Sequence, residues 1–72
     1  MSAGASPVHY EIRIRGTLDD RWAEWFGGLR LHDDGVDTVI SGPVADQAAL
    51  HGLLARIRDL GIELISVSRL GP

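Results

Sequence analysis

No cysteine occurs in the 72 residues, which excludes disulfide staples and thiolate metal sites. Such a chain suits a reducing compartment, and the expected location is the cytoplasm. Long apolar runs are also missing: no stretch approaches the roughly 20 residues that cross a bilayer as a helix. Charge of one sign is scarce. A formal net charge of −3 gives no broad attraction to nucleic acid or to an anionic membrane. Residues 1–7 carry neither a basic nor a hydrophobic region, unlike a signal peptide. They read as a flexible tail before a single domain spanning residues 8–72. A chain of this length supports one thin core, and small cores need a staple or a partner.

The strongest positive signal is a helix over residues 45–60. Leu50, Leu53, Leu54, Ile57 and Leu60 recur at steps of three and four and form one stripe. His51, Arg56, Arg58 and Asp59 fall outside it. Asp46 is placed to cap the first turn. Arg56 and Arg58 suit the negative end of the helix dipole, and Gly61 supplies the stop. Burying these five aliphatic chains is worth roughly 1.5–3 kcal/mol each, which in total is less than the cost of ordering the whole helix at about 1.5 kcal/mol per residue. The helix therefore needs an apolar surface, and the branched residues from Ile62 to Val67 read as a strand of it.

The remaining elements follow from period and punctuation. Residues 8–15 alternate, with Tyr10, Ile12 and Ile14 on one side and His9, Glu11, Arg13 and Arg15 on the other. Gly16 ends that strand. Thr17 with Asp20 resembles a capping box, and Leu18, Trp22, Trp25, Phe26 and Leu29 make the apolar side of a short helix that Gly27-Gly28 stops. Leu29 to His32 is a brief strand, Asp33-Asp34-Gly35 a tight turn, and Val36 to Ser41 the return strand. Gly42-Pro43 is expected to break that strand before the second helix. The order βαββαβ predicts an α+β fold of the ferredoxin-like split βαβ class. It implies a four-stranded antiparallel sheet, ordered fourth, first, third, second, with two helices on one face.

That topology leaves one sheet face open, carrying Glu11, Arg13 and Arg15 beside Asp37, Val39 and Ser41. In the last strand, Ile62, Leu64 and Ser66 are expected on one face and Ile65 and Val67 on the other. One face fits the core, and the other leaves Ile62 and Leu64 exposed at an edge, which bending of the strand, the tail or a second copy would cover. A homodimer is the preferred expectation. The interface candidates are Arg13, Arg15, Trp25, Val39, Ile62 and Leu64.

Chemistry is poorly supported. His9 and His32 fall at opposite ends of parallel strands and His51 on the outer side of a helix, so no metal site is expected. Asp33, Asp34 and Asp37 lack the further ligands of a calcium loop. Gly27-Gly28 follows a helix, whereas a phosphate cradle lies between a strand and a helix start; Asp19 and Asp20 would repel a phosphate. No nucleophile–histidine arrangement can be assembled. Arg13, Arg15 and Arg30 lack the exposed aromatics of an RNA-reading sheet, since Tyr10 points inward by parity. The expectation is a protein without catalytic residues, cofactor or nucleic-acid partner.

Three blocks, residues 10–16, 20–26 and 42–54 with Arg58-Asp59-Leu60-Gly61, together resemble small uncharacterised bacterial proteins of about this size. The resemblance covers nearly all the chain beyond the tail and implies no activity. Within the third block, capping explains Asp46 and a close helix–sheet approach explains Gly52. Gln47 and His51, four apart on one helix face, stand out as a small polar contact site. The function expected is a small protein-interaction or regulatory module that self-associates through the open sheet face or the last strand. The alternative is a small-molecule sensor, its site at a dimer seam or between Trp25 and the Gln47–His51 face.

Overall fold

Alternation at the start of the chain becomes a strand, β1 (Val8–Arg15). The computed structural model describes residues 8–18, 21–27 and 29–70; the proposed tail, the Asp19-Asp20 pair and Gly28 lie outside the described residues. After β1 come α1 (Trp22–Trp25), β2 (Arg30–Asp33), β3 (Asp37–Val44), α2 (Gln47–Asp59) and β4 (Leu64–Leu70). β1 pairs antiparallel with β3 and β4, and β3 pairs antiparallel with β2. The sheet runs β2-β3-β1-β4, which is the expected order counted from the other edge.

Parity builds the core. Ile12 lies opposite Ile40 and Ile14 opposite Thr38, and all four are buried. Onto this face pack Phe26 and Leu29 from the region of α1 and Leu50, Leu53 and Ile57 from α2, in one continuous cluster. Both helical segments therefore cover the same side of the sheet.

The organising helix forms as its sequence dictates. The Asp46 side chain accepts from the Ala49 backbone N–H at 2.8 Å, occupying a first-turn donor that the helix leaves unpaired. At the other end Gly61 adopts φ 74°. Its N–H donates to the Arg58 carbonyl at 2.9 Å, and the Ile62 N–H donates to the Ile57 carbonyl at 3.3 Å. This paired closure is a Schellman motif, which brings together the apolar residues on either side of the stop. Ile62 is accordingly packed against the core beside Ile57. Its expected exposure at the edge is corrected.

Elsewhere long-range contacts overrule local signals. α1 has only four residues, and Arg21 precedes it with no side-chain cap bond. The Leu18 N–H donates instead to Thr38 Oγ at 3.1 Å, and the Thr38 hydroxyl donates to the Gly16 carbonyl at 2.7 Å. A buried threonine on β3 thus holds the β1–α1 connection. β3 begins at Asp37, leaving Val36 in the turn and 71% exposed. It also continues through Gly42-Pro43 to Val44, where a break was expected. β2 begins only at Arg30, opposite Ser41. At Pro43 the strand therefore has a neighbour on one side only, where proline is tolerated. Gly42, at φ 149°, leaves room for Leu29: a Cβ there would stand 2.7 Å from Leu29 Cδ2.

Candidate functional site

β4 is anchored on one side by β1 and is otherwise open. Every residue of it is exposed, including Leu64 at 44%, Ile65 at 42%, Val67 at 37% and Leu70 at 41%. Its register explains which side each group takes. Val67 lies opposite Ile12 and Leu64 opposite Ile14, but Ser66 lies opposite Arg13, because an irregularity falls between Arg13 and Ile14. An extra residue on one strand shifts the alternation there. Leu64 and Val67 therefore both stand on the helix-bearing face, while Ser66 stands on the other. The expected sharing of a face by Leu64 and Ser66 is corrected by this bulge. Residues of α2 close the core over β3 and β1, and no residue of β4 is buried with them. A strip of apolar surface is left beside the helix layer.

The opposite face is polar and internally paired. Arg13 Nη1 lies 3.1 Å from Asp34 Oδ2 and 3.9 Å from Asp37 Oδ2. Arg15 Nε lies 3.4 Å from Glu63 Oε1, both largely exposed, where such a pair contributes little. Val39 is half-buried between His32 and Arg13 in register. Serines of β4 continue these rows: Ser66 beside Arg13 and Ser68 beside Glu11. Of the two surfaces expected to self-associate, β4 carries the exposed apolar groups, with Leu64 and Val67 on its helix side and Leu70, in register with His9, on the other.

The Asp33-Asp34-Gly35 turn forms, with Gly35 at φ 92°. Its carboxylates serve the turn. Asp33 Oδ1 accepts from the Gly35 N–H, and Asp34 Oδ1 accepts from the N–H groups of Val36 and Asp37. Those of Asp37 and then Val36, followed by the Arg13 guanidinium, hold the Asp34 carboxyl at about 2, below its ordinary 3.8. Among the described residues, no group of three or more His, Asp or Glu could hold a metal ion.

Trp25 is 39% exposed. Its ring meets Trp22 edge-on at 5.7 Å and Phe26 at 5.1 Å between centroids. The Arg56 guanidinium lies 5.5 Å from its centroid and donates to the Trp25 carbonyl at 2.7 Å. Arg56 comes from α2, so spacing within α1 gave no sign of this contact. Gln47 has a partner: its Nε2 donates to the Tyr10 hydroxyl at 3.0 Å, tying the start of α2 to β1. His51 is exposed on the outer side of α2. Trp25 and Gln47 are thus drawn into separate contacts, with Arg56 and with Tyr10.

A shallow cavity of about 350 Å³ opens between the end of α1, the end of β3 and α2, lined by Phe26, Leu29, Val44, Gly52, Leu53 and Arg56. A Cβ on Gly52 would meet no heavy atom within 4 Å. The close helix–sheet approach expected at that residue is corrected: Gly52 is part of the cavity wall.

No curated protein and no solved structure matches the chain. Residues 9–68 match a family described as a domain of unknown function, DUF8691, and that span takes in both helices and all of the sheet but the first residue of β1 and the last two of β4. The chain belongs to this DUF8691 family.

Proposed function

We propose that this chain is a small, non-enzymatic interaction module of ferredoxin-like architecture that works in the cytoplasm and self-associates through β4. One observation carries the reading: β4 exposes Leu64, Ile65, Val67 and Leu70, and neither helix shields them. Exposed apolar strips of this kind mark contact surfaces. A core this thin gains most from a partner. The paired charges of the opposite face favour β4 over the open sheet as the seam. Sedimentation velocity across a concentration series tests it. A dimer with a dissociation constant of ~1 μM is expected, and a monomer persisting at tens of micromolar on this scale overturns the proposal.

The cavity beside Gly52 favours a second reading, a small-molecule sensor. Its volume of about 350 Å³ falls in the range of ligand sites. A thermal-shift screen against metabolites separates the two readings. A ligand at about 100 times its dissociation constant adds ~2.7 kcal/mol of stability. No shift across the screen removes this reading and leaves the first untouched.

A further inference from the structure

We propose that two copies pair antiparallel along β4, about a twofold axis through Val67, joining the two four-stranded sheets into one. This rests on the self-association reading and adds the register and the symmetry.

β4 reads Leu64-Ile65-Ser66-Val67-Ser68-Arg69-Leu70. From either end it runs Leu, one variable residue, Ser, Val. The strand is a near-palindrome centred on Val67. In an antiparallel pair related by a twofold axis, each residue faces its mirror position in the same strand. Val67 then meets Val67 and Ser66 meets Ser68, apolar on apolar and hydroxyl on hydroxyl; Leu64 falls level with Leu70, but the bulge turns Leu64 to the helix-bearing face while Leu70, in register with His9, stands on the other. The departures from symmetry are Ile65 and Arg69, which face each other. The arginine stem can lie along the isoleucine with its charge in water. The two Arg69 charges then stand four residues apart along the strand, roughly 14 Å at ~3.4 Å per residue, which is beyond the screening length of ~8 Å at physiological salt.

Geometry favours this register over its neighbours. Centred on Val67, the whole of β4 finds a strand partner; moving the axis by one residue leaves strand residues unpaired and sets a leucine against a serine. The irregularity against β1 falls on the stretch before Ser66, so the central pairs lie in the regular part. The two edges of the sheet also differ. β2 has four residues and exposes Arg30, His32 and Asp33, which blunts it as natural edges are blunted. β4 is longer, lacks proline and carries one charge, and the chain has no lysine to guard it.

The chain has no cysteine, so single cysteines report the register directly. Residues facing each other across antiparallel strands have Cα atoms about 4.5–5.5 Å apart, within disulfide range. Under mild oxidation Val67→Cys is expected to migrate almost wholly as a covalent dimer. Ser66→Cys and Ser68→Cys are expected to stay uncrosslinked alone and to form a covalent heterodimer when mixed. Far-UV circular dichroism confirms that each variant is folded. A second pair avoids thiols: Val67→Glu and Val67→Arg are each expected to be monomeric and to dimerise on mixing. Homotypic cross-linking through Ser66→Cys or Ser68→Cys, or a sedimenting dimer with no cross-link at Val67→Cys, overturns the register while self-association stands. A wild-type chain that stays monomeric overturns both.

Discussion

Asp34 shows how one exposed carboxylate organises a turn. Its folded value of about 2 lies below its ordinary 3.8, so the contribution is complete above the ordinary value and disappears as pH falls through the folded one. An acid titration followed by circular dichroism should show wild type losing stability between about pH 4 and pH 2. Asp34→Asn should start less stable at neutral pH and show a flatter response in that window. Gly42 is a second residue with a physical reason. Added bulk there has to displace Leu29 Cδ2, 2.7 Å away, on a backbone that L side chains avoid. Gly42→Ala is expected to cost about 1–3 kcal/mol, the usual range for overpacking, measured by urea denaturation.

At the scale of elements, legibility depended on whether the controlling contacts were local. α2 was readable throughout, because the Asp46 cap, the Leu50–Leu53–Ile57 stripe and the Gly61 stop lie within one stretch of chain. α1 was not, because its approach is held by Thr38, about twenty positions away. The passage of β3 through Gly42-Pro43 depends on where β2 begins, which no local pattern records. The apolar character of β4 was plain, but the face taken by Leu64 was hidden, since a bulge belongs to the pairing of two strands. The packing of Ile62 against the core did have a signal: an apolar residue directly after a helix-stopping glycine. Gly52 yields a prediction of its own. It sits inside a helix, where glycine costs about 0.8–1.0 kcal/mol relative to alanine, and a Cβ there meets nothing. Gly52→Ala should raise stability by roughly that amount, read as a higher urea midpoint at an unchanged slope.

For the whole molecule, the proposed self-association would tie stability to concentration. When two folded copies separate into unfolded chains, the melting temperature rises with protein concentration. Wild type is expected to melt higher at each tenfold increase, and Val67→Arg to melt at one temperature throughout; differential scanning calorimetry checks both. The Thr38 hydroxyl has a different consequence, one of timing. Its two bonds join Gly16 and Leu18 to a strand that is synthesised later, so the connection after β1 has nothing to settle on until β3 has docked. The tryptophan segment is expected to be among the last parts to become native. Thr38→Val should therefore accelerate unfolding several-fold and leave the refolding rate nearly unchanged, as a late-forming contact does. Stopped-flow tryptophan fluorescence would record it, and slower refolding in the variant would instead put this hydroxyl in the folding nucleus.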